Sequence, residues 1–310
     1  MTTTASSGPY GFAGEAVQAA HEIERDWADA GLRGGFCARN IDTGEELGFG
    51  ADTPYALASV SKVPLALVTL DLVARGELDA AQQLDIDPAT ATHGPTGVAA
   101  FRHPSRIALE DLLYMMLAVS DNAAADAVFE LVPPVHVTRA LQEWGCGGIV
   151  VRHPMRVFYE AARAVAPDDP ALALELAVRA TTDGGGHVLP TLDIASATRG
   201  TARGLVALFA RIWTDAISVP AATGRLRELL GQQASRHRMV AELTTDSITV
   251  RSKTGTFLNL RHEAGVVETS TGDRIAVAAL TASTVAATHQ PEAERAIGRA
   301  ARAAVDVLRL

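Results

Sequence analysis

The pattern of apolar and polar positions opens on a helix. Within residues 15–30, Val17, Ala20, Ile23 and Trp27 recur at helical spacing, which predicts one apolar stripe packed on a core. Residues 34–39 and 46–50 follow as two short runs around Asp42-Thr43-Gly44, and that turn chemistry predicts a strand pair. Residues 59–74 are apolar nearly all round, the signature of a central, buried helix. Pro64 lacks an N–H and is tolerated only near a helix start, which sets that start close to Ser59. A helical run over residues 109–118 breaks at Ser120-Asp121-Asn122 and resumes over residues 123–131. Residues 157–230 are helical in pattern, with loops at 167–170 and 181–190. Residues 248–253, 263–269 and 274–281 read as strands, and 291–310 as a closing helix.

This order predicts an α+β protein. The strands near the two ends pair in one antiparallel sheet, and the helical middle forms an inserted lobe. The expected division is an α/β lobe from residues 1–55 and 216–310 and an all-helical lobe from 56–215. A cleft between two lobes is a common place for a site. The length of 310 residues suits one large domain or two lobes. Hydrophobic residues make up 48% of the chain but aromatics only 5%, so the core is expected to be mainly Ala, Val and Leu.

Charge and motif content narrow the partners. Lys and Arg number 27 against 36 Asp and Glu, and a net charge of -9 argues against nucleic acid. Two cysteines cannot build a disulfide framework, so Cys37 and Cys146 are expected to be free thiols. No basic start with an apolar h-region precedes Phe12, and residues 63–73 are too short to span a bilayer. The expectation is a cytoplasmic protein without membrane attachment, or a secreted one if the chain is a mature form. There is no G-x-x-x-x-G-K-[ST], no G-x-G-x-x-G and no H-E-x-x-H, so neither cofactor nor metal is expected. Arg236-His-Arg238 is a small basic spot.

Three short segments carry chemistry. Ser59 and Lys62 lie three apart, which puts both on one helix face. A lysine one turn along a buried helix is desolvated and favours its neutral, basic form. Such an amine can take the proton of a neighbouring hydroxyl and activate it as a nucleophile. Ser120-Asp121-Asn122 offers a hydroxyl that relays protons and an amide that both donates and accepts, although all three residues are equally good helix caps. Lys253-Thr254-Gly255-Thr256 closes a strand, with a glycine that admits close backbone approach and a cation and hydroxyls suited to an anionic group. Each segment alone is as well read as a cap or a turn. Together, in this order and at a helix start, a helix break and a strand end, they are a known signature.

With that set the chain resembles the class A β-lactamase group of serine penicillin-recognising enzymes. Asp42-Thr43-Gly44 and Tyr55 fall in the family's order as well. The resemblance implies a five-stranded antiparallel sheet flanked by terminal helices, plus an all-helical lobe. It implies Ser59 as acylating nucleophile, Lys62 as its base or relay, and Ser120 as proton shuttle to the leaving nitrogen. Asn122 would hold the substrate's amide side chain and Lys62. Lys253, Thr254 and Gly255 would belong to the anchor for a substrate carboxylate, with Arg261, beside His262, as a further carboxylate-binding arginine. The backbone N–H groups of Ser59 and Thr256 would form the oxyanion hole. The implied partner is a small molecule, a β-lactam or a related amide or ester.

One departure bears on turnover. Hydrolytic members of the family carry Arg-x-Glu-x-x-Leu-Asn, whose glutamate activates the deacylating water. The nearest segment here, Arg156-Val-Phe-Tyr-Glu160, has a different spacing and no Leu-Asn. Glu160 is the candidate base, although an exposed helix residue is the plainer reading, and His187 and Asp193 are other water activators in the stretch 181–198, whose plainer reading is a Gly-rich loop. Without a base the acyl-enzyme should be long-lived, as in penicillin-binding and acyl-transferring relatives. A catalytically idle β-lactam-binding protein is a third reading.

Overall fold

The computed structural model describes residues 11–167, 169–179, 186–243 and 245–309. It begins with α1 (Gly11–Asp29), β1 (Leu32–Asn40), β2 (Glu46–Phe49) and the short β3 (Tyr55–Ala56). A 3-10 turn over Ala58–Ser61 leads into α2 (Lys62–Ala74). The middle holds β4 (Gln83–Ile86), β5 (Ser105–Ala108), α3 (Leu109–Ala118), α4 (Asn122–Leu131), α5 (Pro134–Glu143), α6 (Arg156–Val165) and α7 (Pro170–Arg179). β6 (Arg199–Gly200), α8 (Ala202–Trp213), α9 (Pro220–Gly231) and α10 (Met239–Leu243) follow. The chain closes with β7 (Ile248–Phe257), β8 (Leu260–Thr269), β9 (Arg274–Ser283) and α11 (Pro291–Leu308).

Both ends of the chain build one antiparallel sheet in the order β2-β1-β9-β8-β7. Alternate residues of β9 serve two cores. Ile275, Val277 and Ala279 join the cluster under α1 and α11, and Ala276, Ala278 and Leu280 join the cluster on the opposite face. Both faces are covered, which explains why β9 reads as one apolar run rather than an alternation. On the terminal-helix side, Trp27 is almost fully buried, packs edge-on to Phe36 and Phe49, and donates its indole N–H to the Ala296 carbonyl.

α2 lies in the middle of the helical region. Every residue from Lys62 to Asp71 is buried, and burying each Leu or Val contributes about 1.5–3 kcal/mol. Pro64 is the third residue of the helix, where no intrahelical N–H bond is lost. α8 packs on β1, β8 and β9, and α9 packs on α2, β7 and α3, bridging the helices and the sheet. Among the described residues no helix is long and apolar enough to cross a membrane. Both cysteines are free and buried.

The structure extends the expected strands β1, β7, β8 and β9. β7 runs on through Phe257, so the Lys253 segment lies inside the strand, and β8 starts at Leu260 rather than at residue 263. Thr254, Arg261, His262 and Glu263 are polar yet buried, and such residues break the apolar pattern that marks a strand. α5 and the pairs β3–β6 and β4–β5 went unanticipated, the strands being too short for periodicity to register. Of the expected loop at 181–190, residues 181–185 lie outside the described residues.

Candidate active site

The 3-10 turn at Ala58–Ser61 delivers Ser59, and α2 opens at once with Lys62. Ala58 has φ +46°, a left-handed conformation rare for a residue with a Cβ, directly before Ser59. Ser120 has φ +59°, again left-handed and not glycine. Strain of this kind costs about 1–3 kcal/mol and clusters at functional sites. Here it falls in or next to two of the three segments.

Ser59, Ser120, Asn122, Lys253, Thr254 and Thr256 line one cleft of about 400 Å³. The Lys62 amine is fully buried beside it and donates to the Ser120 carbonyl at 2.6 Å and Asn122 Oδ1 at 2.8 Å, with Ser120 Oγ at 3.4 Å. Burial away from water pushes Lys62 down to about 7, although Asp121 and Asp126 pull the other way. The amine is therefore about half neutral at neutral pH, as a general base requires. Burial also holds Lys253 well below the ordinary lysine range, with the Lys62 and Arg238 charges adding to the effect and Glu263 opposing it.

Two aspartates hold this wall of the cleft. Asp121 caps α4 by accepting the Ala124 N–H at 3.1 Å, and its other oxygen accepts the Val98 N–H at 2.5 Å. That second bond draws in the loop that brings Pro95 and Thr96 to the cleft. Asp126 accepts from Thr92 Oγ1 and from the Met155 and Arg156 N–H groups, tying the same loop to the start of α6.

The opposite wall is β7. A Cβ on Gly255 would stand 3.0 Å from the Leu57 carbonyl oxygen and 3.0 Å from Val60 Cγ2, so glycine lets the strand lie against the Ser59 turn. Gln233, also in the lining, accepts the Thr254 N–H at 2.6 Å and its hydroxyl at 3.1 Å. Glu263 is fully buried and accepts from Ser252 Oγ, Gln233 Nε2 and the Met239 N–H, and burial raises its carboxyl above the usual range.

Four residues singled out in the sequence lie outside the cleft lining. Glu160 is exposed and is not in the cleft lining; its neighbour Tyr159 is, and accepts the Asn122 amide N–H at 2.8 Å. On α6 the inward face is Met155, Phe158, Tyr159 and Ala162, spaced i, i+3, i+4 and i+7, which turns Glu160 outward. Arg261 is not in the lining either. Its guanidinium donates from both terminal nitrogens to the carbonyls of Leu258, Leu260, Ala287 and Thr288, and it pairs with Glu294 through Nε at 3.3 Å. His187 and Asp193 are taken up elsewhere: His187 Nδ1 accepts the Leu189 N–H and the ring also bonds the Ala177 backbone, and Asp193 accepts the His187 and Ala195 N–H groups.

Arg238 is no surface spot. It is 1% exposed, pairs with Glu294, and donates to the Gly255 and His262 carbonyls and to Thr256 Oγ1 at 2.7 Å. It thereby fixes the end of β7 that faces the Ser59 turn. Its sequence context of two exposed basic neighbours concealed it. Gln233 and Tyr159 carried no motif signal, although the apolar face of α6 pointed to Tyr159.

Comparisons with known proteins bear on the family and the fold. The model of the beta-lactamase enzyme family matches residues 18–308. A protein of Streptomyces cacaoi named beta-lactamase regulatory protein BlaB is 45% identical over 294 residues, covering 91% of this chain and 94% of that one. In fold, a beta-lactamase from Chitinophaga pinensis DSM 2588 is similar at a TM-score of 0.75 and 19% identity, over 93% of this chain and 98% of that one. A PBP-A variant, solved as an acyl-enzyme complex with penicillin G, is similar at 0.73 and 19% identity, over 95% and 97%. At these identities the two structures establish a shared fold alone.

Proposed function

The chain belongs to the beta-lactamase enzyme family, and from that premise we propose that it opens β-lactams, or related amides and esters, by acylating Ser59. Neutral Lys62 takes the Ser59 proton, directly or through Ser120, as Oγ bonds to the carbonyl carbon. The oxyanion that develops lies against the backbone N–H groups of Ser59 and Thr256, donors of a kind worth about 3–4 kcal/mol each in the transition state. The carbon–nitrogen bond then breaks, and Ser120 passes the proton to the departing nitrogen. Lys253, Thr254 and Gly255 form the wall that receives a substrate carboxylate, which in turn favours the charged form of Lys253. Asn122 holds an amide side chain of the substrate while accepting from Lys62.

The observation that carries this reading is the buried Lys62 amine, within 2.8 Å of Asn122 Oδ1 and 2.6 Å of the Ser120 carbonyl, beside a cleft shared by Ser59, Ser120 and Lys253.

A second reading concerns lifetime. The described lining of the cleft contains no carboxylate and no imidazole. Tyr159 is its nearest polar newcomer, and burial raises that phenol above its usual range, so it is a poor base at neutral pH. Hydrolysis of the Ser59 ester is therefore slow, and the protein behaves as a covalent β-lactam binder more than as a fast hydrolase. The name of the Streptomyces cacaoi relative, a regulatory protein, is compatible with such a role. Stopped-flow mixing with a chromogenic cephalosporin tests both steps. A single-turnover burst followed by slow steady-state release is expected. Absence of any burst would refute acylation, and fast linear turnover would refute the slow second step.

A further inference from the structure

His262 lies on β8 directly opposite Gly255 of β7, is fully buried, and is not in the cleft lining. Its Nδ1 accepts the Thr281 N–H of β9 at 2.9 Å. The hydrogen therefore sits on Nε2, which donates to the Ala56 carbonyl at 2.8 Å. Ala56 ends β3, two residues before the strained Ala58 and three before Ser59. On its other side the same segment is held by β6 and by the Leu57 N–H bond to the Thr198 carbonyl at 2.9 Å. The imidazole is thus a rigid strut from the centre of the sheet to the entry of the nucleophile turn. Burial, with the nearby Arg238 and Arg261 charges, keeps the ring neutral down to about 4.

We infer that His262 is a positioning residue for the nucleophile, clamping the segment that enters the Ser59 turn onto the central sheet. The inference rests on Ser59 acting as proposed above. It has a specific chemical signature, because the two ring nitrogens can be replaced separately. In His262→Asn the amide oxygen takes the place of Nδ1 and keeps the Thr281 bond, but no atom reaches Ala56. In His262→Gln the longer side chain carries an amide N–H to the place of Nε2 and keeps the Ala56 bond.

The test is stopped-flow acylation by a chromogenic cephalosporin, with the maximal rate constant separated from the half-saturating concentration, alongside melting temperatures. For His262→Asn the maximal rate constant should fall about tenfold or more at unchanged half-saturation, and His262→Gln should recover to within about threefold of wild type. Equal acylation by all three proteins overturns the inference. So does a loss in which His262→Gln is no better than His262→Asn, because that pattern follows lost stability alone. A wild type that does not acylate fails the functional reading itself, a result distinct from either. If His262→Asn does not fold, 15N spectra of the wild-type imidazole give an independent check. An Nε2–H tautomer is expected, and an Nδ1–H tautomer overturns the clamp.

Discussion

A lysine at a helix start is ordinary until it is buried. Lys62 is, and its depression to about 7 sets the sign of the pH dependence. The proton acceptor must be neutral, so the acylation rate constant should rise through pH of about 7 and level off above it. Lys62→Arg should remove both that limb and most of the rate, since a guanidinium stays protonated; stopped-flow acylation between pH 5 and 9 checks this. Tyr159 allows a second prediction. Tyr159→Phe deprives the Asn122 amide of its acceptor, and one unsatisfied buried donor costs about 1–3 kcal/mol, measurable by denaturant unfolding. At this scale the sequence was most legible where chemistry is local. Ser59, Lys62, Ser120, Asn122, Lys253 and Thr254 were all readable as motif residues. Arg238, Gln233 and Tyr159 were not, because their roles depend on contacts made across the fold. For Glu160 and Arg261 the sequence left two readings open for the same reason: a residue type suited to a task says nothing about where its side chain is spent.

At the scale of elements, the site is a joint between the 3-10 turn ahead of α2 and strand β7. Gly255 sets their spacing. In Gly255→Ala the new Cβ meets a backbone carbonyl that cannot retreat without moving the turn. A displacement of about 1 Å can cost about 100-fold in rate, so acylation should drop steeply, with a stability loss of about 1–3 kcal/mol from overpacking. Paired measurement of acylation and melting temperature separates the two effects. Asp126 plays the corresponding part on the helical side. Asp126→Ala would leave the Met155 and Arg156 N–H groups without their acceptor and loosen the loop bearing Pro95 and Thr96, and it should lower the melting temperature measurably in calorimetry. Long elements such as α2, α11 and the inner strands announced themselves by apolar runs or by period. The strand segments holding Thr254, Arg261, His262 and Glu263 did not, because a buried polar network reads as a loop until its partners are known.

For the whole molecule, both chain ends form the sheet and the intervening helices complete the cleft, so the site exists only when the full chain is folded. The predicted α+β architecture and five-stranded sheet match the structure. The packing of α8 and α9 against the sheet was not legible, since helical periodicity gives a buried face but not its partner. The family is established, and the central claim is that this member forms a persistent ester on Ser59. Intact-mass spectrometry of wild type and Ser59→Ala after incubation with penicillin G tests it most directly. The account expects wild type to gain the mass of one penicillin and to retain it long after excess ligand is removed, with Ser59→Ala unlabelled. An unlabelled wild type, or an adduct on Ser59→Ala, would contradict it.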